Sequence, residues 1–261
     1  MTFWHAQERA RQAGGKLVLR IEDLDHDRCR TEFRDAIVED LHWFGLQWDE
    51  GPDIGGPFAP YTQGDRRQTH LAAWKVLRDA GLLYPCTCSR GDVLQSASAP
   101  HHEGEEPVYP GTCRTMSGTI SDLDSPAGHN WRFRVPEAEA LQFADQRLGR
   151  QSATAGRDFG DFIIWRKDDA PAYQLAVVVD DAAMQITEVV RGADLLLSTF
   201  RQLLIYRALG LCVPRFYHSE LITDSTGQRL AKRHDSLSLR ELRNLGVEPM
   251  EWRCRRTTST V

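Results

Sequence analysis

The sequence predicts an α/β fold with a parallel sheet, and three observations carry that expectation. Leu17, Val18, Leu19 and Ile21 form a short apolar run between Gly14-Gly15 and an acidic cluster, the pattern of a strand buried on both faces. A second continuous run, Ala172 to Val179, reads as another strand and closes on Asp180-Asp181. A third, Ile186 to Gly192, ends in Arg191-Gly192, and a helix over about 194–209 follows it.

In open α/β sheets, ligands bind in the crevice beyond the carboxyl ends of the strands. The first run ends in Glu22, Asp23 and Asp25. A carboxylate there can hold an ammonium group or a ribose hydroxyl. A solvated turn before the next helix accounts for Asp23 and Asp25, and Glu22, closest to the strand end, is the functional candidate. Arg191, at a strand end beside a helix N-terminus, is placed to clamp a carboxylate or phosphate. A lone Arg in that position is also a common surface ion pair; Glu22, Tyr173 and Asp180 at the other expected strand ends favour a site.

The remaining elements follow in order. Residues 2–13 read as an amphipathic helix with Phe3, Ala6, Ala10 and Ala13 on one face and Gly14 as its cap. Thr31 can cap a helix striped by Phe33, Ile37, Leu41 and Phe44 and ended by Gly45. A Gly/Pro-rich loop leads to a helix over 66–80 carrying Leu71, Trp74 and Leu77. Strands are expected at 131–135, 161–166 and 217–222, and Ser238 with Glu241 forms a capping box for a short closing helix ended by Gly246. A helix-first order is unusual, because a βαβ unit needs a strand before its helix.

Composition sets the class. The chain has 261 residues, 41% hydrophobic and 26% charged, which fits one large α/β domain or a domain with an insertion. No apolar run approaches the ~20 residues of a membrane span and no signal peptide is visible, so a cytoplasmic protein is expected. A net charge of −5 carries no global nucleic-acid signature. Six cysteines in such a chain point to a metal or free thiols before disulfides. Cys86-Thr87-Cys88 and Cys113 supply three thiols, with Tyr109, His101 and His102 as local candidates for a fourth zinc ligand; three free thiols fit the spacing equally well. Lys232, in the basic stretch Arg229-Leu230-Ala231-Lys232-Arg233, can grip phosphates or sit in a solvated basic turn.

Five segments in one order carry a resemblance: 15–25, Tyr84-Pro85-Cys86-Thr87-Cys88-Ser89-Arg90, 172–181, Val190-Arg191-Gly192-Ala193-Asp194-Leu195-Leu196, and Leu230-Ala231-Lys232-Arg233. Together they resemble the glutamyl-Q tRNA(Asp) synthetases, truncated relatives of glutamyl-tRNA synthetase, from about Ala6 to about Val247. The resemblance implies a Rossmann-like class I synthetase catalytic domain over 1–83 and 166–250. It also implies an inserted, zinc-containing acceptor-like subdomain over 84–165, and leaves 251–261 as a tail. The implied activity is ATP-dependent activation of glutamate, with Mg2+, and transfer of the glutamyl group to queuosine in the anticodon of tRNA(Asp) by a monomer. On this sequence Glu22 would hold the substrate ammonium, and Tyr173 and Arg191 the glutamate. Lys232, in a loop resembling the KMSKS signature, would stabilise the phosphate charge. Cys86, Cys88, Tyr109 and Cys113 match the family's structural zinc site.

Two departures stand out. In the signature loop the first Lys is Arg229 and the Ser is Ala231, so charge is kept. The family also opens with a strand and a His-x-Gly loop that binds glutamate and ATP, and nothing in this sequence precedes the helix at 2–13. The expectation is that residues 1–261 alone give no glutamate-dependent ATP–pyrophosphate exchange, and that a chain extended upstream through that loop does. Two other readings stand beside this one: a piece of an ordinary glutamyl-tRNA synthetase, and a non-catalytic, zinc-stapled module that binds tRNA.

Overall fold

A computed structural model describes residues 2–25, 29–89, 91–93, 108–115, 123–221 and 239–249. The chain divides into two compact units, Met1–Thr62 with Ser219–Val261, and Gln63–His218.

In the first unit, α1 (Thr2–Gln12) closes on Gly14, whose φ of 62° suits a residue without a Cβ. The Gly14 N–H bonds Arg11 O and the Gly15 N–H bonds Ala10 O, a paired capping pattern at a helix C-terminus. The buried position of α1 is Gln7, whereas Phe3 is exposed, so the face expected from Phe3, Ala6, Ala10 and Ala13 is not the one that packs. Gln7 instead turns its side-chain oxygen to the Gln47 N–H. Helix α2 (Thr31–Trp43) begins as expected, but its N-cap is Arg30, with no side-chain cap bond. Of its expected stripe, Leu41 and Phe44 are buried with Leu46 and Trp48, while Phe33 and Ile37 are 59% and 44% exposed. Arg240 and Arg243 of the helix Leu239–Asn244 pair with Glu39 and Asp40 of α2. Ser238 lies outside the described residues.

The run Leu17 to Ile21 is extended, but it is not a strand buried on both faces. Its residues are half-buried, and it makes single parallel bridges, Val18 with Glu50 and Ile21 with Thr62. The Leu19 N–H bonds Glu50 O at 2.8 Å and the Ile21 N–H bonds Tyr61 O at 2.9 Å. Its two partners are separated by the 51–60 loop, whose three prolines offer no ladder donors, so no continuous pairing builds up. Gly56 in that loop, at φ 148°, passes so close to Tyr61 that a Cβ would stand 2.2 Å from the phenol oxygen. That oxygen donates to Glu50 at 2.7 Å.

The second unit begins with a 3-10 turn, Gln63–Arg66, and α3 (Arg67–Asp79), whose Trp74 and Leu77 are fully buried as the stripe predicts. Strands β1 (Leu83–Cys86) and β2 (Asn130–Phe133) follow, then a hairpin of β3 (Ala140–Asp145) and β4 (Gly149–Thr154), and then β5 (Phe162–Trp165). The hairpin was not expected from the sequence. Its signal is the period-2 alternation of β3, with Leu141 and Asp145 inward and Gln142 and Ala144 outward. Strands β1, β2 and β5 make an antiparallel sheet in that order. Trp74, Trp131 and Trp165 form its buried floor, the first two edge to face at 4.9 Å.

The segment 172–181, expected as a strand, is a helix: α4 (Tyr173–Ala183). Seven consecutive residues, Leu175 to Asp181, are buried, and a helix buried all round shows no polar stripe to betray its period. Asp180 is therefore not a carboxylate at a strand end. It lies inside the core, accepting from Arg66 Nε at 2.6 Å and Gln63 Nε2 at 2.8 Å, with His70 Nε2 at 2.9 Å. Next come β6 (Glu188–Gly192), a 3-10 turn Ala193–Leu195, α5 (Leu196–Ala208) and β7 (Arg215–Ser219). The second sheet has the order β4-β3-β7-β6 and is mixed, β3 antiparallel to β4 and parallel to β7. Among the described residues, no helix is long and apolar enough to cross a membrane.

Candidate functional site

Strand β1 delivers Cys86 at its end, and its pairing with β2 sets Tyr84 opposite Arg132. The thiols of Cys86, Cys88 and Cys113 lie within 4.8 Å of one another, with Cys88 and Cys113 sulfurs 3.5 Å apart. That separation excludes a disulfide, whose sulfurs stand about 2 Å apart. Tyr109 Oη lies 3.5 Å from both Cys86 Sγ and Cys88 Sγ and accepts the Cys113 N–H at 2.8 Å. Burial works against the Cys113 thiolate, but hydrogen bonding from Tyr109, the Thr87 backbone and Cys88 outweighs it and brings that thiol down to about 6. Burial pushes Cys88 up, and burial with the surrounding thiols pushes Tyr109 up.

The chemistry of this donor set fits a tetrahedral thiolate-rich cation. Zinc–sulfur bonds of about 2.3 Å place sulfurs about 3.8 Å apart, so the three thiols need little movement. Arg132 backs the cluster: its Nε donates to Cys86 Sγ at 3.2 Å, its guanidinium lies 3.8 Å from the centroid of the Tyr109 ring, and its Nη1 donates to Asp161 O. The Asp161 carboxylate accepts from Tyr84 Oη, Arg114 Nη1 and the Val135 N–H, tying the loop that carries Cys113 to the sheet.

A second constellation surrounds Arg191, the penultimate residue of β6. Helix α5 presents Thr199 and Gln202 three residues apart on one face. Arg191 Nη2 donates to Thr199 Oγ1 at 2.7 Å, Nη1 to Gln202 Oε1 at 2.8 Å, and Nε to His218 Nε2 at 3.2 Å. Tyr173, the first residue of α4, holds its hydroxyl 3.5 Å from Nη1, and Phe216 lies under the guanidinium. Gln202 is steadied in turn by Gln174, and Gln174 by Ser198. His218 Nδ1 stands 2.7 Å from Asp145 Oδ2. Burial, with the positive Arg191 beside it, holds His218 below its ordinary value despite Asp145. Burial opposes the Asp145 charge, but the Leu148 and Arg147 N–H groups and His218 keep its carboxyl below the usual range.

The structure thus brings together Cys86, Cys88, Tyr109 and Cys113, and separately Tyr173 and Arg191. Glu22 belongs to the first unit, exposed and accepting from Arg20 Nη2 at 2.9 Å. Arg229, Leu230, Ala231, Lys232 and Arg233, and likewise His101 and His102, lie outside the described residues.

Residues 2–254 match the tRNA synthetases class I (E and Q), catalytic domain. The chain is 49% identical over 249 residues to the glutamyl-Q tRNA(Asp) synthetase of Nitratidesulfovibrio vulgaris, covering 95% of this chain and 76% of the relative. It belongs to that family. A second such synthetase, from Symbiobacterium thermophilum, is 46% identical, with 92% of this chain and 75% of that protein covered. A crystal structure of a glutamate tRNA ligase from Elizabethkingia meningosepticum, in complex with its amino acid, superposes with a TM-score of 0.74 at 27% identity. It covers 94% of this chain, which spans about half (49%) of that ligase. The protein is therefore a ligase with the α/β fold of a class I synthetase catalytic domain, its described strands forming one antiparallel and one mixed sheet.

In this synthetase the residues around Arg191 were only partly legible. Thr199 and Gln202 carry a faint signal, two polar residues three apart on a helix that follows a strand-end Arg. His218 and Asp145 carry none, being 73 residues apart and joined only by the pairing of β3 with β7. Arg132 and Asp161 sit in segments that read simply as strands.

Proposed function

We propose that this synthetase activates glutamate with ATP, entering as its magnesium complex, and transfers the glutamyl group to queuosine in the anticodon of tRNA(Asp). A carboxylate oxygen of glutamate attacks the α-phosphorus, pyrophosphate leaves, and a queuosine hydroxyl then displaces AMP from the mixed anhydride. The likeness to the family assigns the amino acid to Arg191 and Tyr173, its ammonium group to Glu22, and the charge growing on the phosphates to Lys232 of the segment 229–233. The observation that carries the amino-acid role is the guanidinium of Arg191, held on three sides and meeting Tyr173 only in a long contact. A substrate carboxylate can take over that long contact at little cost, since 3.5 Å is at the limit of a hydrogen bond.

Cys86, Cys88, Tyr109 and Cys113 hold zinc, which would supply structural cross-linking of the loop to β1 and no chemistry on the substrate. Bound cation favours the deprotonated donors, so loading releases protons.

The test is glutamate-dependent ATP–pyrophosphate exchange, run on residues 1–261 and on a chain extended upstream through a His-x-Gly loop, followed by transfer of labelled glutamate to tRNA(Asp) with and without queuosine. Label in the anticodon fragment of the modified tRNA alone supports the proposal. Label at the 3′ end of a glutamate tRNA supports the other reading, favoured by the likeness to a glutamate tRNA ligase of twice the length. Zinc and tRNA binding without exchange in the extended chain as well would leave only a non-catalytic module.

A further inference from the structure

The nitrogen Nε of a guanidinium carries a proton and no usable lone pair, so Arg191 Nε is a donor at every accessible pH. His218 Nε2, 3.2 Å from it and 3.1 Å from Thr199 Oγ1, must then present its lone pair. The imidazole proton is accordingly on Nδ1, where Asp145 Oδ2 accepts it at 2.7 Å. Asp145 is itself fixed: Oδ1 accepts the N–H groups of Arg147 and Leu148 at 3.0 and 2.8 Å, and Oδ2 accepts the His218 N–H at 3.1 Å. Asp145, His218, Thr199, Gln202 and Arg191 are all buried, so water does not compete for these bonds. The chain of contacts runs from the turn of the β3–β4 hairpin through Asp145 and His218 to the guanidinium.

We propose that His218, kept by Asp145 as the neutral Nδ1–H tautomer, is a positioning residue for Arg191 that sets the angle at which its fork meets the substrate carboxylate. This rests on the reading of Arg191 as the glutamate clamp. Thr199 and Gln202 hold the two terminal nitrogens and His218 holds Nε, so without His218 the plane is anchored at its outer edge alone and can tilt at the Nε end. A site tolerates about 10–20° of misalignment before affinity falls, so loss of the third contact is felt in binding.

Two variants separate positioning from packing. In His218→Gln the amide oxygen can reach the place of Nε2 and still accept from Arg191. In His218→Asn the amide stops near the place of Nδ1, keeping Asp145 and losing Arg191 together with Thr199, both of which meet Nε2. By calorimetry with glutamate, His218→Asn is expected to bind about tenfold more weakly than the parent, as for a hydrogen bond to a charged group. His218→Gln is expected to recover most of that loss, with ATP affinity alike in all three. Nitrogen-15 NMR of the parent is expected to show His218 protonated at Nδ1 and not at Nε2. Equal losses in both variants, no loss in His218→Asn, or an Nε2-protonated ring at neutral pH would overturn the proposal. Arg191→Ala serves as the control: unchanged glutamate binding there, or none in the parent, overturns the reading of the clamp and the positioning role with it. Loss in Arg191→Ala with normal binding in His218→Asn overturns the positioning role alone.

Discussion

Replacing Asp180 by Ala tests whether this buried residue of α4 supports the core or lines a binding site. Asp180 is fully buried (0% exposed) and binds Arg66, itself 7% exposed, together with Gln63 and His70. Truncation removes the counter-charge from beside the buried Arg66 guanidinium. Breaking a buried pair in this way costs about 3–5 kcal/mol. A domain of this kind is stable by roughly 5–15 kcal/mol, so the variant should retain only part of its margin. Asp180→Asn keeps the shape and two acceptor contacts and should lose less. The assay is equilibrium urea unfolding followed by circular dichroism, reading the midpoint shift at unchanged slope. The double variant Asp180→Leu with Arg66→Met should recover much of the loss, because the pair is then removed together. A loss below about 1 kcal/mol in Asp180→Ala would refute the buried-charge argument. A selective loss of substrate binding at unchanged stability would restore Asp180 to the site.

Elemental analysis of protein purified without chelator should find one zinc per chain, and Tyr109→Phe should weaken zinc at least tenfold in competition with a chromogenic chelator; full retention would assign the fourth ligand elsewhere. Arg191→Ala should weaken glutamate binding roughly a hundredfold, and Arg191→Lys should rescue poorly, because an ammonium cannot reproduce a fork held at three nitrogens; calorimetry reads both. Stability should fall with acid in two stages. His218, held below its ordinary 6.5, stays neutral in the fold while the unfolded chain takes up its proton, so stability is full above about 6.5 and declines as pH drops toward the folded value. Asp145, held below 3.8, adds stability that is present above that value and lost as pH falls through its folded value. Urea midpoints at pH 7.5 and 5.5 should therefore differ more in the parent than in His218→Gln, and equal differences would exclude His218 as the source.

Features whose cause lies within a few residues could be read from the chain alone. Gly14 ends α1 because a left-handed residue is needed there, and Trp74 and Leu77 bury one face of α3 because they recur at helical spacing. Cys86, Cys88 and Cys113 were legible as candidate donors because thiols recur there at short separations, and Tyr109 was singled out only by the resemblance. The run Leu175 to Asp181 was not legible, since burial on every side removes the periodic contrast that separates helix from strand. Exposure of Phe33 and Ile37 and burial of Gln7 also run against local pattern, because neighbours distant in sequence choose which face of a helix is covered. Arg191 could be named from its strand-end position, but what holds it could not. Thr199 and Gln202 arrive on a helix and His218 on a neighbouring strand, and Asp145 reaches His218 only because β3 lies beside β7. A hydrogen bond spans about 3 Å of space whatever the separation along the chain, and strand pairing decides which residues come within that distance.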